Sequence, residues 1–134
     1  MKTRVYACPD SFDHHPPQGH PEHSGRLRAV LDAAQAWSGN VVQWRAPAPR
    51  AALERVHRIE HVDRVFTAAP AAGEISLDAD TWMSPGSLDA ALAAAGAAIA
   101  AVDAVLDGET EAAFVAARPP GHHAEPDRAM GFCL

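Results

Sequence analysis

Residues 87–106 constrain the fold of this chain more than any other stretch. Ser87 to Leu106 is rich in alanine, with Leu88, Leu92, Ile99, Val102 and Leu106 spaced among small residues, and Asp107-Gly108 follows as a stop. Alanine is the best helix former, so the pattern predicts one long helix. Gly96 in its middle costs helix stability and therefore points to a neighbour packed very close. Straight after the stop comes Ala112-Ala113-Phe114-Val115-Ala116, a short apolar strand.

The rest of the chain alternates in the same way. Arg4 to Cys8 reads as a first strand ended by Pro9, and Asp10 to Gly25 as a loop holding Pro16, Pro17, Gly19, Pro21 and four histidines. Ser24 is a fair N-cap for a helix carried by Leu27, Val30, Leu31 and Ala34, which ends near Trp37 with Ser38-Gly39-Asn40 as its stop. Val41 to Trp44 is a second strand, and Pro47 and Pro49 mark a linker. Ala51 to Val56 and Glu60 to Ala69 read as short helices with Leu53, Val56, Ile59, Val62 and Phe66 on their apolar face. Pro70 to Gly86 is a long irregular loop, and loops of that length inside a domain tend to be functional. Strands alternating with helices fit an α/β layer with a mainly parallel sheet, whose ligands bind at the carboxyl ends of strands. Residues 117–124 would lie at such an end.

Composition narrows the function classes. The 134 residues make one domain. A net charge of -6 with scattered cationic side chains argues against nucleic-acid binding, which needs a positive footprint. No apolar run reads as long and charge-free enough to span a bilayer, and the start lacks a signal-peptide core. A cytoplasmic location without membrane association is therefore expected. Cys8 and Cys133 form no metal-binding or redox pair and read as buried free thiols.

The chemistry is concentrated in Arg118-Pro119-Pro120-Gly121-His122-His123-Ala124. Proline fixes the backbone and glycine permits a tight turn, so two imidazoles sit on a stiff loop just past a strand. Imidazole titrates near neutrality, which suits such a pair to general base and general acid work. The bland alternative is two histidines in a solvated turn.

The longer string, Arg118 to Glu125 followed by Met130-Gly131-Phe132-Cys133, resembles the signature of the histone deacetylase and acetylpolyamine amidohydrolase superfamily. His20-Pro21-Glu22-His23-Ser24-Gly25-Arg26-Leu27 is similar to its HPExxxRL segment, and Asp78-Ala79-Asp80-Thr81 to the DxDT of its class II-like branch. Leu53 to His57 with His61-Val62 resembles a segment that usually carries Tyr where His61 stands, a departure that reads as tolerated surface or loop variation. The resemblance implies the N-terminal portion of an arginase/deacetylase-type three-layer α/β fold, as one truncated domain over 1–134. Loops 9–25 and 70–86 would stand at the pocket mouth, with a catalytic loop at 117–133. It implies His122 as general base or electrostatic partner and His123 as general acid to the leaving amine. Asp80 would grip the substrate backbone, Gly131-Phe132 would line the acyl tunnel, and Arg26 would lie near an internal channel. The alternatives are an Asx-type loop bond at Asp80 and an ion pair of Arg26 with Glu22.

The resemblance also implies zinc, held by two aspartates and a histidine that lie beyond Leu134, so none is expected at the family site in this chain. A catalytic zinc needs about three protein ligands. His20 and His23 have metal-compatible spacing, but nothing closes a site there beyond adventitious binding of zinc or nickel. The expected substrate is acetyl-lysine, an acetylpolyamine or a similar acyl-amine. The chain alone is expected to be inactive. It is expected to form a homo-oligomer or to associate with a C-terminal part, because truncation would leave an open strand edge.

Overall fold

The computed structural model describes residues 2–37 and 40–134. Three parallel strands form the main sheet: β1 (Thr3–Ala7), β2 (Val41–Gln43) and β5 (Ala112–Ala116), in the order β2-β1-β5. Val5 pairs with Val41 on one side and Phe114 on the other. Parallel neighbours need crossovers, and helices supply them. The chain passes from β1 through α1 (Ser24–Trp37) to β2. It then runs through α2 (Arg50–Leu53), α3 (Ile59–Ala68) and a two-stranded antiparallel ribbon, β3 (Ile75–Ser76) and β4 (Trp82–Met83). The long α4 (Ser87–Leu106) returns it to β5.

Strand alternation divides the core between two faces. Val5 and Ala116 meet Leu27 of α1 on one face, flanked by Phe12 and Leu31. Tyr6 and Cys8 meet Ala93, Ala97 and Ala101 of α4 on the other, flanked by Trp44 and Val115. Helix, sheet and helix are the three layers expected. The alanine face lets α4 lie close, and Gly96 makes the closest approach: a Cβ there would stand 2.3 Å from the Ala46 carbonyl oxygen.

Several expectations change at the edges. Residues expected as continuous loop contain a 3-10 turn at Pro9–Phe12 and the β3–β4 ribbon. The second strand stops at Gln43, and the helix expected over Ala51 to Val56 is only Arg50–Leu53. The expected stop at Ser38-Gly39 lies outside the described residues. By length and composition α4 is apolar enough to cross a membrane, with a mean hydropathy of 1.7, against the expectation that no run was. The helix carries two aspartates, Asp89 and Asp103. The helix instead packs its alanine face on the sheet, leaving Val102 and Leu106 exposed.

Candidate active site

The site begins where β5 ends. Arg118, the second residue past that strand, is only 4% exposed. Its Nε and Nη2 donate to the two carboxylate oxygens of Glu22 at 2.5 and 2.8 Å, and Nη1 donates to the Ser11 carbonyl at 2.8 Å. Its backbone N–H donates to Ser11 Oγ at 2.8 Å. The bidentate geometry is the strongest that an arginine and a carboxylate can adopt. His14, also buried, brings Nε2 to 3.5 Å from Glu22 and shares its Nδ1 with Ser87 Oγ at 2.7 Å, at the start of α4. Burial alone would raise the Glu22 carboxyl; hydrogen bonds from His14 and Arg118, with the guanidinium charge, bring it down to about 2. Glu22 therefore pairs with Arg118, not with Arg26.

Pro119, Pro120 and Gly121 lead from this clamp to the histidine pair. The His122 and His123 side chains are exposed, with ring centroids 4.2 Å apart and planes at 47°. The His123 backbone N–H donates to the buried Cys133 Sγ at 3.3 Å. Gly131 has φ +59°, and a Cβ there would stand 3.1 Å from His123 ring atoms. Only glycine enters this conformation without cost and leaves the imidazole its place. Phe132 also has a positive φ of 71°, which its environment must enforce. Its N–H donates to the buried Thr81 Oγ1 at 3.1 Å, and Met130 and Cys133 exchange backbone hydrogen bonds around it.

The Phe132 ring meets His20 edge-on, centroids 4.6 Å apart. His20 Nδ1 accepts from the Glu22 backbone N–H at 3.1 Å, which assigns the proton of the neutral ring to Nε2, facing the Asp80 carbonyl at 3.3 Å. Asp80 is exposed and its own N–H donates to the Asp78 carboxylate at 2.9 Å, as does that of Thr81 at 2.7 Å. The Asx-type turn considered for Asp80 thus belongs to Asp78. Burial would raise the Asp78 carboxyl, but these backbone hydrogen bonds outweigh it and hold the group below its usual range.

A concavity of about 680 Å³ opens beside this loop, lined by Arg26, Arg118, His122, His123, Gly131 and Phe132 among others. Arg26 is exposed in it. Both ring nitrogens of His20 are engaged, so it does not present a free donor with His23. Among the described residues no group of three or more His, Cys, Asp or Glu side chains could hold a metal ion.

Two features escaped the sequence reading. The Glu22–Arg118 pair joins residues 96 apart, with no local spacing to announce it. His61 is buried in the first turn of α3, only 4% exposed, and is no surface variation. It lines an apolar groove of about 400 Å³ behind Pro119 and Pro120. Burial, with His57 and Arg64 nearby, lowers its pKa.

The fold and the loop define an α/β protein with an exposed histidine pair on the loop that follows the carboxyl end of a sheet strand. The family model of the histone deacetylase domain matches residues 20–134. The chain is 44% identical over 114 residues to the histone deacetylase-like amidohydrolase of Pseudomonas aeruginosa, covering 85% of this chain and 30% of that protein. It is 40% identical over 129 residues to a probable deacetylase of Methanothermobacter thermautotrophicus, covering 92% of this chain and 37% of that protein. The crystal structure of the HDA15 HD domain superposes with a TM-score of 0.86 at 33% identity, covering 100% of this chain and 40% of that one. The chain belongs to the histone deacetylase family. It spans between a third and two fifths of the length of most of these relatives, and 30% of the first.

Proposed function

We propose that this chain supplies the proton-transfer pair and part of the acyl tunnel of an amidohydrolase acting on acetyl-lysine, an acetylpolyamine or a similar acyl-amine. The observation that carries this reading is the exposed His122-His123 pair beside a concavity that also takes in Gly131 and Phe132. In hydrolysis, water gives its oxygen to the acyl carbon and the amide C–N bond breaks. His122 would take the proton of the attacking water, and His123 would return one to the leaving nitrogen. Phe132 gives the concavity an aromatic wall beside which an aliphatic chain can lie, and His20 packs edge-on against its ring.

Zinc would add a polarised carbonyl and an activated water. The described residues do not fit that ion by themselves. On this reading the ligands come from further polypeptide, and β5 is where it would join. The strand has a partner on one side only among the described residues, and its Phe114 is 51% exposed.

The test is hydrolysis of acetyl-lysine peptides and acetylpolyamines with added zinc, using the chain alone and mixed with the complementary region of the Pseudomonas relative. No turnover is expected alone. Turnover is expected in the mixture, and should be lost in a His122→Ala/His123→Ala variant. Turnover by the chain alone that the double variant abolishes would overturn the proposed division of the site. Light scattering of the chain distinguishes association with itself from association with the complement.

A further inference from the structure

Glu22 links the buried Arg118 to the loop that carries His20. Its carboxylate holds Arg118 by two hydrogen bonds, and its backbone carbonyl lies 3.5 Å from Arg118 Nη2. Its backbone N–H holds the His20 ring, which meets Phe132 edge-on. Arg118 is in turn fixed at its backbone and its guanidinium by Ser11. Two prolines separate that clamp from Gly121-His122-His123, and a proline pair transmits position because its φ angles are locked. On its far side the dipeptide is held by Cys133 Sγ. The imidazoles themselves are exposed.

A buried ion pair is a poor device for stability, since desolvation offsets most of its attraction. It is a good device for fixing geometry, because the guanidinium fork accepts a carboxylate in few orientations. We propose that Glu22 is a positioning residue, whose carboxylate, through Arg118, sets where the His122-His123 pair stands. The idea rests on the reading of the pair as proton-transfer groups, but its test does not depend on turnover.

The experiment is imidazole ¹H–¹⁵N spectroscopy on the whole chain, with His122 and His123 assigned through His122→Ala and His123→Ala. In Glu22→Gln the His122 and His123 ring resonances should move toward those of unstructured histidine, while core reporters such as Met83 and Val62 stay in place. Glu22→Met combined with Arg118→Met removes the ion pair while keeping apolar volume, and should give the same selective loss. Unmoved His122 and His123 imidazoles in either folded variant overturn the proposal. So do imidazoles that move only together with the core resonances, which would make the clamp a general element of the fold. The hydrolysis assay can fail while this result stands, and the reverse.

Discussion

Replacing Gly96 by alanine sets two effects of opposite sign against each other. Alanine in a helix interior is worth about 1 kcal/mol over glycine, so propensity alone would strengthen α4. A Cβ at 96 would stand 2.3 Å from the Ala46 carbonyl oxygen, 2.9 Å from the Ala48 nitrogen and 3.1 Å from the Pro47 carbonyl carbon. These are backbone atoms of a segment stiffened by Pro47 and Pro49, and they must retreat by roughly 1 Å to reach ordinary contact. The Ala48 N–H donates to the Leu92 carbonyl at 2.8 Å, so the retreat also strains the bond that ties this segment to α4. Overpacking costs about 1–3 kcal/mol and a weakened hydrogen bond about 1 kcal/mol. The clash wins, with a net loss of about 1–3 kcal/mol and a melting temperature lower by roughly 4–12 °C. Urea and thermal unfolding followed by circular dichroism measure both. Ala98→Gly, at an exposed position of the same helix, calibrates the propensity effect alone. A Gly96→Ala protein at least as stable as its parent would refute the reasoning, because the 46–48 segment would then yield freely.

Gly131→Ala forces a left-handed backbone on a residue with a Cβ and pushes on the His123 ring. It should cost about 1–2 kcal/mol in urea unfolding and displace the His123 imidazole signals; unchanged stability with an unmoved ring would count against the packing described. Glu22 predicts an acid limit. Its folded pKa of about 2 lies below the ordinary 4.5, so its contribution is present above pH 4.5 and is lost as pH falls from there toward 2. That contribution is on the order of 3 kcal/mol and should vanish from the pH–stability curve of Glu22→Gln; equal acid sensitivity in the two proteins would disprove it.

What could be read from the sequence was what neighbours in the chain decide. The bounds of α4 and β5 are as expected, because alanine propensity, the Asp107-Gly108 stop and an uninterrupted apolar run are all local. The helix expected to Val56 fails at Leu53 for a tertiary reason: the turn that follows brings His57 Nδ1 to 3.0 Å from the Glu125 carbonyl, and Arg58 N–H to the Pro126 carbonyl. The β3–β4 ribbon has two residues per strand, too few for alternation to show. At the site, local strings point to the candidate residues, while the contacts that hold them in place arise only from the fold. His122, His123, Gly131 and Phe132 sit in one ordered string, but Ser11, His14 and Ser87 reach the Glu22–Arg118 pair only through the fold.

That division between presenting and holding residues bears on the proposed chemistry. The holding groups are satisfied: Arg118 spends its donors on Glu22 and Ser11, and Thr81, Cys133 and Ser87 each have partners. The imidazoles of His122 and His123 touch each other, yet neither ring makes a hydrogen bond among the described residues. An imidazole that relays protons needs its second nitrogen tied to an acceptor that fixes its tautomer. On the proposed reading those acceptors arrive with whatever occupies the concavity and pairs with the side of β5 that has no partner among the described residues. A buried frame that is already satisfied can hold two unsatisfied rings in place until they do, and the strained φ of Phe132 shows that this frame is stiff enough to impose geometry.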